Sequence, residues 1–274
     1  MKLSIITINY NHLDGLKNTF ESVIVQTWKE YEWIIIDGGS TDGSLEFIQE
    51  HKSLFSYWCS EKDGGVYNAQ NKGITHAEGE YIVFLNSGDI FASRVTLQIV
   101  FGENRKSDIL FGYMMRKSKD GLPHNWPSMK SHLSWVDFYY DTLPHQSSYI
   151  KRELFEKYGG YDENYRRLAD WKWFFDVVAN HHATLEFIPY KLSVYECGGI
   201  SEDEGVKLEL EQLRKELFPS YISEKDLMTI NDVHTIWSYP WSRFFFRVIR
   251  RMAHSYRWHC QKATFNRARA DLDR

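Results

Sequence analysis

The feature that most constrains this chain is a short buried strand that ends in an acidic turn. Residues 81–85, YIVFL, are apolar and mostly aromatic or β-branched, and the turn sequence NSGD follows at 86–89. An uninterrupted apolar run bounded by turn residues is typical of a central strand with both faces covered. Ligands of open α/β sheets bind beyond the carboxyl ends of such strands, where a carboxylate can hold a hard cation. We therefore predict a Mg²⁺ or Mn²⁺ site at Asp89.

A strand followed by a helix also opens the chain, and the pattern then repeats. Residues 3–8 are an apolar strand, after which the spacing of Asn11 and Asp14 predicts the N-cap of an amphipathic helix. Residues 33–36 form a second strand that ends at Asp37 and is followed by a turn. Alternating strands and helices predict an α/β fold with a mostly parallel sheet flanked by helices. In that sheet Asp37 and Asp89 would lie at the same edge.

Composition narrows the class of protein. A hydrophobic content of 43% in 274 residues is enough for a packed core. The three cysteines are scattered without a C-x-x-C pair, which predicts neither a disulfide framework nor a zinc site and favours a reducing compartment. We find no signal-peptide pattern and no apolar stretch long enough to span a bilayer, so we expect a cytoplasmic location.

The C-terminal segment differs in charge from the rest. Residues 242–274 carry nine basic and two acidic side chains, a balance of +7, whereas the preceding residues carry −11. We predict two domains, residues 1–204 and a helical extension at 205–274, with a basic amphipathic segment at about 241–262. Basic residues opposite aromatic ones favour an anionic membrane surface as partner. Packing on the acidic body or homo-oligomer contact are the alternatives, and we expect no nucleic-acid partner.

Four segments together amount to a family pattern. They are SIITINYN at 4–11, IIIDGGSTDGS at 34–44, YNAQNKGITHAEGEYIVFLNSGD at 67–89 and GGYDENYRRLADW at 159–171. Over about residues 2–200 the chain resembles the family 2 glycosyltransferases, which have the Rossmann-like GT-A fold, and most of all the bacterial members that build capsular polysaccharides and exopolysaccharides. The resemblance implies an inverting transferase at the inner face of the cytoplasmic membrane. It would move a sugar from a UDP-sugar to a hydroxyl of a lipid-linked glycan.

The resemblance also implies roles for individual residues. Asp170 matches the general base, Asp37 the residue that contacts uracil and ribose, Asp63 a residue near the ribose or donor sugar, and Asp89 the metal ligand. The other implied donor-binding residues are Thr7, Asn9, Tyr10, Asn68, Asn71, Lys72, Asn86, Ser87 and Gly88. The implied acceptor or loop residues are His145, Gln146, Trp171, Gly199 and Ser201. Positions that are often acidic in the family's metal motif are Asn86, Ser87 and Gly88 here, so one carboxylate remains.

The chemistry of glycosyl transfer fits these assignments. Breaking a glycosyl phosphate bond needs stabilisation of the leaving diphosphate and a base beside the acceptor oxygen. Two alternatives remain open at this point. A protein that has lost catalysis and only binds a nucleotide sugar would explain why a single carboxylate of the metal motif remains. A nucleotidyltransferase would need a glycine-rich loop with a lysine near the N-terminus, and Asn9-Tyr10-Asn11 does not provide one. Dehydrogenases and P-loop enzymes lack support, since neither G-x-G-x-x-G nor G-x-x-x-x-G-K-[ST] occurs.

Overall fold

The structure, a computed structural model, describes residues 2–117, 123–126, 135–196 and 205–218. The chain divides into two units, Met1–Lys215 and Glu216–Arg274, and the account below concerns the first. The boundary at residue 204 remains a prediction, and the basic segment at 241–262 lies outside the described residues. None of the described helices combines the length and apolar character that crossing a membrane requires.

Helices alternate with strands through most of the described chain, and the strands join in one sheet. The strands are β1 Leu3–Asn9, β2 Tyr31–Asp37, β3 Tyr57–Ser60, β4 Tyr81–Phe84, β5 Ile90–Phe91, β6 Ile109–Lys117, β7 Pro123–Trp126, β8 Ser148–Lys151 and β9 Leu185–Glu196. The helices are α1 Leu13–Ile24, α2 Ser44–Glu50, α3 Val66–Thr75, α4 Thr96–Phe101, α5 Trp135–Tyr140, α6 Arg152–Tyr158, α7 Ala169–Phe175 and α8 Gly205–Leu217.

The N-terminal half of the sheet is parallel, as the sequence predicts. β1 pairs with β2 and β4, and β2 pairs with β3, so Asn9 lies beside Asp37 and Asp37 beside Ser60. Every residue of β1 is buried, because the strand has helices on both faces. Ile5 belongs to the core cluster that includes α1, whereas Ile6 on the other face lies against α3. The carboxyl ends of these strands form the edge at which the sequence predicts a site.

The C-terminal half of the sheet adds antiparallel pairs that the strand and helix pattern did not predict. β8 runs antiparallel to both β4 and β6, while β6 and β9 are parallel. The short strand β5 pairs antiparallel with the end of β9, so that Ile90 lies opposite Val194. This pairing brings residues more than 100 positions apart in the chain to the turn that contains Asp89, at the same end of the sheet.

The predicted N-cap at Asn11 is wrong. Helix α1 begins at Leu13, whose backbone N–H donates to Asp42 Oδ2 at 2.8 Å from a different loop. Asn11 has a left-handed backbone, with φ of 48°, and its side-chain oxygen accepts from the backbone N–H of Thr41 at 2.8 Å. The two loops therefore cap each other, and local spacing could not reveal this because the partner lies about 30 residues away.

The predicted helix at residues 169–179 is confirmed in position but changes character along its length. α7 is α-helical only to Phe175, and a π-helical turn continues over Asp176–Asn180. Asp170 lies in the first turn of α7, as predicted. A carboxylate in that turn is favoured by the positive end of the helix dipole.

Candidate active site

Asp37, at the end of β2, joins the ends of three parallel strands. Its side chain is fully buried and accepts five hydrogen bonds, from Asn9 Nδ2, Ser40 Oγ, Ser60 Oγ and the backbone N–H groups of Gly39 and Ser40. Burial alone would raise the pKa of Asp37, but the hydrogen bonds from Ser40, Ser60 and Asn9 outweigh it and hold the pKa below its usual range. Both carboxylate oxygens are thus engaged by the protein, and a contact of Asp37 with a nucleoside remains a prediction.

The residue after this carboxylate, Gly38, lies between an aromatic ring and an acidic side chain. A Cβ at Gly38 would lie 3.0 Å from Asp63 Oδ2 and 3.1 Å from Tyr10 Cδ2. The ring of Tyr10 is exposed, and Asp63 Oδ1 accepts from the backbone N–H of Gly65 at 2.8 Å. Thr7, by contrast, is buried and accepts from Trp33 Nε1 at 3.0 Å. A ligand can therefore reach Tyr10 and Asp63, whereas Thr7 is enclosed by protein.

The polar residues of α3 hold neighbouring loops. Asn68 Nδ2 and Asn71 Nδ2 donate to the two carboxylate oxygens of Glu163 at 2.9 and 2.8 Å. Asn71 also pairs with the backbone of Tyr161 through both its amide oxygen and its amide nitrogen. Lys72 forms an ion pair with Glu61 at 2.7 Å. The two asparagines fasten the loop at 160–163 to α3, and the predicted contacts of all three side chains with a donor remain predictions.

Asp89 is a buried carboxyl group at the turn after β4. It is 4% exposed, and its Oδ1 accepts from the backbone N–H of Glu196 at 3.4 Å. Burial raises the pKa of Asp89 to about 7, although hydrogen bonds from Glu196 and Gln146 act in the opposite direction. A cation nearby would therefore favour the ionised form of Asp89 at neutral pH.

Glu196 is a second acidic residue at this turn, and the sequence analysis missed it. Its carboxylate lies against Gly88, which has a left-handed backbone with φ of 99°, and one oxygen is 3.5 Å from His12 Nε2. The pairing of β9 with β5 and β6 brings Glu196 here, and no motif in the sequence signals that pairing.

The chemistry of this turn fits a divalent cation that takes few protein ligands. Among the described residues, no group of three or more His, Cys, Asp or Glu side chains is arranged to hold a metal ion. Asp89 offers one buried carboxylate whose ionised form a cation would stabilise, and the Ser87 hydroxyl is buried without a described hydrogen-bond partner. Mg²⁺ is commonly bound by one or two carboxylates, substrate phosphates and water. Asp89 would hold the ion on the protein side.

Asp170 is the second carboxylate of the site, and protein donors contact both of its oxygens. Tyr67 Oη donates to Oδ1 at 2.7 Å, and the backbone N–H of Trp171 donates to the same oxygen at 2.9 Å. His145 Nδ1 lies 3.1 Å from Oδ2. Burial, and then the charge of Asp170, raise the pKa of Tyr67 well above its usual range, so the phenol remains a donor. The side chain of Asp170 is 13% exposed.

A chain of hydrogen bonds connects Asp170 to the turn after β4. His145 Nε2 lies 3.3 Å from Asn86 Nδ2, and Asn86 Oδ1 accepts from Gln70 Nε2 at 3.3 Å. Tyr67 and Gln70 are three residues apart on α3 and so share one face of that helix. The structure thus brings Asp170, His145 and Asn86 together. Sequence analysis missed Tyr67 and Gln70, for which the helical spacing was the available signal.

The remaining predicted acceptor residues have different surroundings. Gln146 is buried next to Asp89. Trp171 is 8% exposed and donates from Nε1 to the backbone oxygen of Phe138 at 2.7 Å. It therefore connects α7 to α5. Gly199 and Ser201 lie outside the described residues.

Helix α8 supports the start of α7, although the sequence analysis assigned it to the C-terminal extension. Glu209 Oε1 accepts from the backbone N–H groups of Arg167 at 2.8 Å and Leu168 at 2.9 Å. These two residues immediately precede α7, and a carboxylate at a helix N-terminus satisfies unpaired amides there. From the same helix, Arg214 donates to the backbone oxygen of Tyr139.

Comparison with known proteins identifies the family. The model described as Glycosyl transferase family 2 matches residues 4–162, which is more than half of the 274-residue chain. The chain belongs to glycosyltransferase family 2. The predicted enzyme class and the predicted family are thereby confirmed, and a family 2 glycosyltransferase commonly uses a divalent metal ion.

Relatives of this family 2 glycosyltransferase come from mycobacteria. An uncharacterized glycosyltransferase of Mycobacterium tuberculosis is 37% identical over 175 residues, which are 61% of this chain and 65% of the relative. The PGL/p-HBAD biosynthesis glycosyltransferase of Mycobacterium bovis is 28% identical over 211 residues, which are 72% of this chain and 78% of the relative. The chain thus matches slightly less than two thirds of the length of the first relative.

Solved structures with the same fold include Staphylococcus aureus TarS. Its fragment 1–349 in complex with UDP-GlcNAc matches with a TM-score of 0.64 and 19% sequence identity, over 82% of this chain and 69% of the fragment. Identity at this level shows the fold alone. The predicted α/β GT-A fold of this family 2 glycosyltransferase is confirmed.

Proposed function

We propose that this protein is an inverting glycosyltransferase that moves a sugar from a UDP-sugar to a hydroxyl group of a glycan acceptor in bacterial surface polysaccharide synthesis. The observation that carries the proposal is the hydrogen-bonded chain from Asp170 through His145 to Asn86, which connects a candidate base to the turn with Asp89. The UDP-GlcNAc complex of TarS supports UDP as the nucleotide. The Mycobacterium bovis relative, named as a PGL/p-HBAD biosynthesis glycosyltransferase, supports a biosynthetic role.

In the proposed reaction Asp170 is the general base. The acceptor oxygen forms a bond to the anomeric carbon while the bond from that carbon to the β-phosphate oxygen breaks, and its electron pair goes to the diphosphate. The hydroxyl proton passes to Asp170, and a single displacement inverts the anomeric configuration. A positioned carboxylate contributes about 10²- to 10⁴-fold as a base. Tyr67 and the backbone N–H of Trp171 hold its Oδ1, which leaves Oδ2 to accept the proton.

The donor would bind along the edge formed by β1, β2 and β4. We assign the nucleoside to the exposed ring of Tyr10 and the neighbouring Asp63, and the diphosphate to the turn with Ser87 and Asp89. A divalent ion held by Asp89 would act as a Lewis acid on the leaving diphosphate. Donor contacts from Asn68, Asn71 and Lys72 would require them to exchange their bonds to Glu163, Tyr161 and Glu61.

The test is release of UDP from UDP-glucose, UDP-galactose and UDP-N-acetylglucosamine, with and without Mn²⁺. We expect at least one donor to be consumed and Asp170→Asn to lower kcat by about 10²-fold or more while UDP binding, measured by calorimetry, is retained. The matched control is Asp176→Asn, an acidic residue of the π-helical turn that is 42% exposed, and it should leave kcat unchanged. Wild-type turnover in Asp170→Asn, or a product with retained configuration, would contradict the proposal.

We also propose that the protein acts at the inner face of the cytoplasmic membrane on a lipid-linked acceptor. The support is the +7 balance of residues 242–274, since each basic residue near an anionic surface adds about 1 kcal/mol of attraction. Co-sedimentation with phosphatidylglycerol vesicles should be lost on deletion of residues 236–274 and weakened by salt. Equal binding of the full-length and shortened chains would refute this part of the proposal, and a change in oligomeric state would instead favour self-association.

A further inference from the structure

His145 lies between the two halves of the candidate site and contacts each through a different ring nitrogen. Nδ1 is 3.1 Å from Asp170 Oδ2, and Nε2 is 3.3 Å from Asn86 Nδ2. Its side chain is 19% exposed, so most of the ring is enclosed by protein. His145 follows Pro144 and begins a 3₁₀ turn, His145–Ser147, that leads directly into β8. Its position is therefore set by the sheet.

The partners of the ring determine its tautomer. A carboxylate only accepts hydrogen bonds, so Nδ1 must carry the proton that it donates to Asp170. Asn86 Oδ1 accepts from Gln70, which orients the amide so that Nδ2 points at the ring and donates to Nε2. Every bond in the series from Gln70 through Asn86 and His145 to Asp170 then runs in the same direction. This arrangement requires a neutral imidazole with its proton on Nδ1.

We infer that His145 is a positioning residue that acts through Asp170, rather than a residue that binds the sugar acceptor. This inference rests on the proposed function, in which Asp170 is the base. The N–H of Nδ1 fixes one lone pair of Oδ2 and so aims the other toward the acceptor hydroxyl. Tyr67 holds Oδ1 from the opposite side, at 2.7 Å. With both oxygens held, the carboxylate cannot rotate, and misplacement of a reacting group by about 1 Å can cost about 10²-fold in rate.

Two substitutions, each of which places an amide nitrogen at the position of one ring nitrogen, test the two nitrogens of His145 separately. The amide nitrogen of Asn reaches the position of Nδ1, whereas that of Gln reaches the position of Nε2. His145→Asn should therefore retain the bond to Asp170 and keep kcat within about 10-fold of wild type, whereas His145→Gln should lose about 10²-fold. The assay is hydrolysis of UDP-glucose and UDP-N-acetylglucosamine, in which water replaces the acceptor. A residue that only binds the acceptor would leave hydrolysis unchanged, and that result would overturn the inference.

A double-mutant cycle distinguishes failure of the inference from failure of the proposed function. In the Asp170→Asn background, His145→Gln should have no further effect on kcat, because a residue that acts through Asp170 has nothing left to position. Additive losses would overturn the inference and leave Asp170 as the base. Full activity of Asp170→Asn would instead overturn the proposed function. The matched control is His181→Gln, at a more exposed His–Asp pair with Nε2 3.5 Å from Asp176, and it should retain wild-type hydrolysis.

A measurement without a donor tests the tautomer directly. In the full-length protein with ¹⁵N-labelled histidine, NMR at neutral pH should show one neutral ring protonated at Nδ1, and this signal should disappear in His145→Asn. Asp170→Asn should change its chemical shift. A His145 ring protonated at Nε2 alone would overturn the inference, whatever the outcome of the kinetics. Thermal unfolding of each variant identifies any loss of rate that results from unfolding.

Discussion

Asp37 shows how a single buried carboxylate can organise the end of a parallel sheet. Asp37 accepts five hydrogen bonds, two from backbone N–H groups and three from the side chains of Asn9, Ser40 and Ser60. These donors satisfy the charge, which explains why the pKa stays low despite burial. The same donors would be left facing one another if the charge were removed.

We therefore expect Asp37→Asn to lower the free energy of unfolding by about 1–3 kcal/mol at pH 7, because its amide N–H₂ would face buried donors. The pKa of Asp37 is lower in the folded than in the unfolded protein, so its contribution is complete above the unfolded value of about 4 and is lost as the pH falls through the folded value. The difference between variant and wild type should shrink below about pH 4, as measured by urea denaturation.

Asp176→Asn is the control for this experiment as well, since a partly exposed carboxylate should change the free energy of unfolding by less than about 0.5 kcal/mol. Equal stability of Asp37→Asn and wild type at pH 7 would show that the hydrogen bonds do not stabilise the fold. A difference that grows on acidification would contradict the sign of the pKa shift.

At the scale of elements, α8 contacts the start of α7, although β9 lies between the two helices in the chain. Glu209 of α8 accepts from the two backbone N–H groups before α7, and its side chain is 12% exposed. Tyr67 Oη of α3, which donates to Asp170, also lies 2.7 Å from the backbone oxygen of Arg167 in the same segment. The start of the helix that carries Asp170 is therefore held by side chains from two other helices.

Glu209→Ala should destabilise the protein by about 0.5–2 kcal/mol, the range for loss of a helix N-cap, and should also lower kcat because Asp170 is in the first turn of α7. Urea denaturation and UDP release measure the two effects. Glu211→Ala, which removes an exposed carboxylate from the same helix, is the control and should change neither. Unchanged stability and kcat in Glu209→Ala would show that α8 does not support the site.

At the scale of the whole molecule, donor binding should be visible as stabilisation. A ligand present at about 100 times its Kd stabilises the folded state by about 2.7 kcal/mol, which raises Tm by about 5–11 °C for a chain of this size. We expect one or more UDP-sugars to produce such a shift and Mn²⁺ to enlarge it. Asp89→Ala should remove the increment due to Mn²⁺. An increment that survives in Asp89→Ala would mean that the cation binds elsewhere.

Local patterns were sufficient for much of the fold. The apolar runs of β1, β2 and β4 predicted buried parallel strands, because a strand covered on both faces has no polar side to interrupt it. The antiparallel pairing of β5 with β9 was not predictable, since two short strands separated by about 100 residues carry no shared signal. The contribution of Glu196 to the Asp89 turn depends on the pairing of β9 with β5 and β6.

The candidate site, like the fold, was only partly predictable from the sequence. Acidic residues after buried strands indicated Asp37 and Asp89, and both carboxylates are buried, so it is their hydrogen-bond donors that distinguish them. Five donors surround Asp37 and lower its pKa, whereas Asp89 has few donors and its pKa is raised to about 7. Residue type therefore predicted that an acid would be present, and the number of nearby donors decided the direction of its pKa shift.

The amino-acid sequence alone determined the α/β class, the sheet edge of the candidate site and the family, because these depend on hydrophobic periodicity and short contiguous motifs. Only the tertiary structure decided that Tyr67, His145 and Glu209 converge on Asp170 and the start of its helix. Hydrogen bonds act over about 3 Å in space and are indifferent to separation along the chain. Such contacts exist only once the sheet and helices have packed.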